Sequence, residues 1–339
     1  MRPFVLMFLL SPAVYGADEL PLFASNEPLD ITLEFPLYTI IRQAEKEPVF
    51  TGTAHYTDAD GQKVSLPIKL STRGKSRLAM CRFPPLSLMI GKKDGKGTIF
   101  EGQKELKITT HCRPNATFRS YVLQEFSIYR AFNVLTDVSF RARYLNVTYQ
   151  DTEKADKAIV ENAFVLESAK ELANRLELKR HKVPLVRASQ LDPSYAALVA
   201  LFQFLIGNTD WSISQGHDGA NCCHNGKVYS LPGADEGWQI VPYDFDQSGI
   251  INTSYSIPAE SLRIRSVRQR LYRGKCQHLS GIDGAVAMFN ENRQALEAAL
   301  LPQEIKKRKS AVKYVDDFYQ IINDPEKRRK SIDDRCRGS

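Results

Sequence analysis

Two short stretches decide how this chain is read: Leu205-Ile206-Gly207-Asn208-Thr209-Asp210 and Pro242-Tyr243-Asp244-Phe245-Asp246. The first closes an apolar run, Pro193 to Ile206, which Asp192 starts as N-cap, Pro193 enters at its first turn and Gly207 ends. That run is apolar nearly all round, which predicts a buried helix as the spine of the second half. The second stretch emerges from a strand predicted over Trp238-Gln239-Ile240-Val241. Each stretch therefore places a carboxylate at the end of a rigid buried element, and His224-Asn225 stands between them. Carboxylates and an amide oxygen gathered in this way make a hard, oxygen-rich site suited to Mg²⁺ or Mn²⁺. Phosphoryl transfer needs such a site, with one carboxylate orienting the attacking hydroxyl and others holding metal against phosphates.

Working back from that site, residues 17 to about 115 alternate as strands and hairpins. Ile31 to Phe35, Val49 to Tyr56 and Val64 to Leu70 are the clearest, with a turn at Asp58-Ala59-Asp60-Gly61 and a further strand at Leu106-Lys107-Ile108-Thr109. From Thr117 the period changes: Phe118, Tyr121, Val122, Tyr129 and Phe132 recur at three and four, predicting a helix of roughly 18 residues. Glu125 shares that apolar stripe, so its carboxylate faces the core and needs a partner. Lys107 on the preceding strand is the expected cation. Upstream, Arg73-Gly74-Lys75-Ser76-Arg77 is a glycine turn carrying three cations that can close over phosphates. Strand-like runs at Ala142 to Tyr149 and Ala163 to Glu167 follow, and beyond Ser168 the pattern turns mainly helical.

Leu205-Ile206-Gly207-Asn208-Thr209-Asp210, then Asn225, then Pro242-Tyr243-Asp244 resembles the catalytic segment of atypical kinases of the HipA type. The Arg-Gly-Lys-Ser loop and the late Asp-Phe-Asp look more like the spore-coat CotH-type kinases. The resemblance covers roughly residues 65–250, leaves the C-terminal helices unexplained, and implies an α+β, two-lobed protein-kinase-like fold; with the strand and helix pattern this gives a β-rich N-lobe over residues 17–167 and a mainly helical C-lobe over 168–339. It implies Asp210 as catalytic aspartate, Asn225 and Asp244 as metal ligands, and Lys107 as the phosphate-binding lysine beside Glu125. Arg73 and Lys75 would add to the nucleotide grip, and Asp246 could share the role of Asp244. The chain departs from the pattern in two ways: no GxGxxG loop is present, and an insertion holding Cys222-Cys223 lengthens the step from Asp210 to Asn225. Asn221 therefore stands as the alternative to Asn225. The implied ligands are ATP with Mg²⁺ or Mn²⁺, and the implied acceptor is a hydroxyl on an unidentified protein.

Composition bounds these expectations. The chain has 339 residues, of which 43% are hydrophobic and 25% charged, with a net charge of +7, which excludes a disordered, collagen-like or polytopic membrane protein. The basicity is local, since residues 69 to 113 hold eleven Lys or Arg against three Asp or Glu. Met1-Arg2 followed by the apolar run Phe4 to Leu10 and by Val14-Tyr15-Gly16 reads as a cleaved signal peptide over residues 1–16. Export then makes disulfides the expected state of the six cysteines, in preference to zinc at His217, Cys222, Cys223 and His224. Cys81 with Cys112 is the expected first bridge. Cys222 and Cys223 are expected to pair with Cys276 and Cys336. No membrane span or nucleic-acid motif is present. Two other readings fit the same residues: a non-catalytic envelope or secreted binding protein, and an enzyme that transfers AMP.

Overall fold

The computed structural model describes residues 20–74, 76–154, 156–216 and 219–338. The expected signal peptide, Lys75 and His217 lie outside the described residues. In the first half, β1 (Leu29–Phe35) buries Leu29, Ile31, Leu33 and Phe35 and turns the intervening residues outward, as strand alternation requires. A short helix α1 (Leu37–Arg42) leads to β2 (Phe50–Thr57) and β3 (Lys63–Thr72), where Leu66, Ile68 and Leu70 repeat the pattern. After α2 (Ser76–Met80) come β4 (Leu86–Ile90) and β5 (Glu105–Thr109). The 20-residue helix α3 (Ala116–Leu135) follows, with the Asn115 side chain capping the amides of Thr117 and Phe118. β6 (Ala142–Asp151) and β7 (Ala158–Leu166) complete the set.

These seven strands form a closed barrel in the order β1-β2-β3-β4-β5-β7-β6. The closing contact is parallel: β6 lies beside β1 with Ile31 opposite Val147 and Leu33 opposite Tyr149. This corrects the expected two-lobed kinase-like fold, because the closed, mixed barrel replaces the β-sheet N-lobe of such proteins. The physical reason is that closure satisfies the outer edge of β1, which an open meander leaves unpaired. A parallel pairing between strands so distant in sequence leaves no mark in local alternation.

The barrel has its own apolar core, from Leu22 to Val165. A second core forms where α3 meets α5 (Pro193–Ile206), every residue of which from Tyr195 to Ile206 is buried. Around it lie α4 (Ala169–Arg175), α6 (Ile282–Glu291), α7 (Arg293–Leu300) and α8 (Arg308–Ile322), with α9 (Pro325–Ser331) beyond. A three-stranded antiparallel sheet, β8 (Lys179–His181), β9 (Gly226–Ser230) and β10 (Gln239–Pro242), sits beside them in the order β10-β9-β8. No helix among the described residues is long and apolar enough to cross a membrane.

All six cysteines are paired. Cys81 joins Cys112 as expected. The other expectation fails: Cys222 pairs with Cys223, and Cys276 with Cys336. The adjacent cysteines are buried against the second core. Cys276 meets Cys336 because Lys275 and Arg337 form a parallel β-bridge that carries the two together.

Candidate functional site

The site lies in a cleft of about 1400 Å³ bounded by β5, α3, α4 and the three-stranded sheet. Its centre is made by two helix and strand ends. α5 stops because Gly207 adopts φ +65°, a left-handed conformation that favours glycine. Arg270 closes that helix end by donating to the carbonyls of Phe204 and Leu205 at 3.0 and 3.1 Å. The chain then turns through Asn208, whose Oδ1 accepts the Asp210 amide at 2.9 Å. On the neighbouring sheet, the β9–β10 register sets Gly226 opposite Pro242. Asn225 and Tyr243 are thereby joined, the Tyr243 amide donating to the Asn225 carbonyl at 3.1 Å.

Asp210 is held on both oxygens. His224 Nε2 donates to Oδ1 at 2.7 Å, and Asn225 Nδ2 donates to Oδ2 at 3.0 Å and to the Asp210 carbonyl at 2.8 Å. Burial on its own would raise the Asp210 carboxyl, but the His224 and Asn225 hydrogen bonds outweigh it and hold the group below its ordinary value. The same contact with Asp210 raises the His224 imidazole. Asn225 uses its amide nitrogen here, which leaves Oδ1 as the atom free to meet a cation.

Asp244 adopts φ +62° and its amide donates to the Tyr129 hydroxyl at 2.8 Å. Its side chain opens onto the cleft, yet protein packs around it on the other sides. That desolvation, followed by the charge of Asp246, pushes its carboxyl up to about 6. Asp246 is engaged differently: its Oδ2 accepts from Arg77 at 2.9 Å and from the Tyr255 hydroxyl at 3.2 Å. Asp244 thus has the open carboxylate and Asp246 the tied one, which separates the two metal-ligand candidates.

Glu125 is 4% exposed, as its place on the α3 stripe predicts. Its partner is not Lys107. Arg77 reaches it at 3.0 Å, using the same nitrogen that binds Asp246. Burial nevertheless pushes the Glu125 carboxyl up to about 7 against the pull of Arg77. Arg77 therefore leaves the expected phosphate-closing loop and becomes a partly buried tie between α3 and the segment after β10. Lys107 stands on β5 opposite Ser87, on the cleft wall.

No protein-family model matches this chain, and no curated protein does. The chemistry of the cleft therefore rests on its own residues. Its wall carries Arg73, Lys107, Arg180 and Lys227, none of which has an ion-pair partner among the described residues. Lys227 donates to the Tyr243 hydroxyl at 2.9 Å and lies 4.4 Å from that ring's centre. Burial and then Arg73 lower the Lys107 ammonium, and burial and then Arg180 lower Lys227, as expected where unneutralised cations face one another. Sequence reading missed Arg180 and Lys227. A lysine inside the buried strand Gly226–Ser230 is a signal for the second, whereas Arg180 sits in a short basic edge strand with nothing to single it out.

Among the described residues, no three His, Cys, Asp or Glu side chains gather into a metal cage. The donor set is of a more open kind. The Asp244 carboxylate and the Asn225 side-chain Oδ1 are hard oxygen donors of the kind Mg²⁺ takes.

Proposed function

We propose that this chain is an exported phosphotransferase that moves a phosphoryl group from ATP to a protein hydroxyl, with Mg²⁺ or Mn²⁺ bound by Asn225 and Asp244. The observation that carries the reading is the arrangement of opposite charges in one cleft. A doubly hydrogen-bonded Asp210 and an open Asp244 carboxylate share it with four cations that lack anionic partners. Polyphosphate is the ligand class that neutralises those cations while bringing a metal to the carboxylates. Lys107, Lys227, Arg73 and Arg180 grip the phosphates. Asp210, kept ionised and fixed in orientation by His224 and Asn225, accepts the proton of the attacking hydroxyl. The metal, when bound, supplies charge neutralisation at the phosphates. Three disulfides support export.

Thermal shift with ATP plus Mn²⁺, followed by transfer with α- or γ-labelled ATP, tests the reading. Nucleotide-dependent stabilisation and transfer of the γ-label support it. Transfer of the α-label alone assigns AMP transfer to the same cleft. No stabilisation at millimolar nucleotide and metal removes nucleotide chemistry and leaves a binding protein.

A further inference from the structure

The last part of the chain carries no chemical motif, yet it reaches the back of the Asp210 turn. Arg273 donates from Nη1 to the carbonyl of Thr209, the residue before Asp210. It is a partly buried guanidinium with no ion-pair partner among the described residues, and its Nε is buried without a hydrogen bond. A buried donor left unmade costs roughly 1–3 kcal/mol, so the unbonded Nε is a cost that the Thr209 contact carries with it. Arg273 faces the field of Asp210 and lies near a second cation, Arg337; burial and then Arg337 push it down to about 10. Its neighbours are fixed firmly. Tyr272 is 1% exposed, the Gly274 carbonyl accepts the Arg337 amide at 2.8 Å, and the Cys276 amide donates to the Arg337 carbonyl at 3.0 Å. The Cys276–Cys336 disulfide locks the two segments together.

We propose that Arg273 is a positioning residue for Asp210, seated by the Cys276–Cys336 bridge. The guanidinium holds the Thr209 peptide, and so fixes where the next residue presents its carboxylate to His224 and Asn225. As a statement about turnover the inference rests on the phosphotransferase reading; as a statement about the turn it does not. The C-terminal helices thereby gain a task, which is to carry the partner strand of this lock.

The test uses the full chain with Arg273→Met and Arg273→Lys, and reads two signals. The first is the indole N–H resonance of Trp211, which donates to the Asn208 carbonyl at 3.1 Å within the same turn. The chain has two tryptophans, and Trp238, bonded to the Ala234 carbonyl, is the internal control. Arg273→Met is expected to move or broaden the Trp211 signal and leave that of Trp238 in place, with Arg273→Lys intermediate. The second is kinetic: kcat falls about tenfold or more while KM for ATP changes less than about twofold, and Arg273→Lys recovers part of the loss. If Arg273→Met does not fold, Cys276→Ser/Cys336→Ser is expected to move the same Trp211 signal. An unchanged Trp211 signal in the folded variants overturns the proposal. So does a loss of ATP affinity that matches the loss of kcat. If the wild type transfers no phosphate, the Trp211 result alone decides the positioning role, and the failure belongs to the phosphotransferase reading.

Discussion

Arg77 Nη2 lies 3.0 Å from Glu125 Oε2, so the buried acid of α3 is neutralised by the glycine-turn segment and not by Lys107 on β5. The consequence is a division of labour among the cations. Arg77 ties α3 to the segment after β10, and Lys107 stays on the cleft wall without an ion-pair partner among the described residues.

Arg77→Met should destabilise the protein by about 3–5 kcal/mol, because it strands Glu125 and Asp246 beside each other without their cation. Urea unfolding checks this, and Arg77→Met/Glu125→Gln should recover part of the loss by removing one of the two charges. Lys107→Met should leave the unfolding free energy within about 0.5 kcal/mol of wild type.

Lys107→Met and Lys227→Met should each weaken ATP binding by about tenfold, the scale of one charge-assisted contact. Titration calorimetry at two salt concentrations is the measurement. Added salt should weaken the wild type more than the double variant, since the variant has fewer charges left to screen.

His111 sits 1% exposed against Phe83, which in turn packs on Tyr149, and burial lowers its imidazole to about 4. In the unfolded chain it protonates near its ordinary value of about 6.5. Between those values the unfolded state binds the extra proton, so stability is full above about pH 6.5 and falls as pH drops toward 4. The contribution is about 3 kcal/mol across the window. Denaturant midpoints measured from pH 7 to pH 4 should fall less steeply in His111→Phe than in the wild type.

Peptide mapping without reduction should recover Cys81 joined to Cys112, Cys276 joined to Cys336, and a single peptide holding the Cys222–Cys223 bridge. A cross-link from Cys222 or Cys223 to Cys276 would contradict the fold around the Asp210 turn. Losing the Cys276–Cys336 bridge, which spans 60 residues, should cost up to about 4 kcal/mol by the chain-entropy relation.

Much of the local structure was legible. The span of α5 follows from Asp192, Pro193 and Gly207, and that of α3 from the apolar stripe that also places Glu125 inside. What failed was pairing at a distance. Neither the parallel closure of β6 on β1 nor the partner of Glu125 is written in any local pattern, because both depend on which segments the finished fold brings together. β4 and β8 were missed for different reasons. The first is a five-residue run behind two prolines, and the second is made of Lys179, Arg180 and His181, which alternate in nothing. At the site, Asp210, Asn225 and Asp244 do line one cleft with Lys107 and Arg73. Asp246 faces Arg77, and Lys227 and Arg180 enter from a sheet whose edge strand carries no sequence signal.

In the proposed reaction Asp210 acts on a hydroxyl brought to a phosphate in this cleft. That role is tested most directly by comparing wild type with Asp210→Asn in single-turnover transfer of γ-labelled phosphate with Mn²⁺, with ATP binding measured on the same samples. The rate in Asp210→Asn should be about 10²–10⁴-fold lower, with ATP still bound. Transfer at the wild-type rate by Asp210→Asn would contradict it.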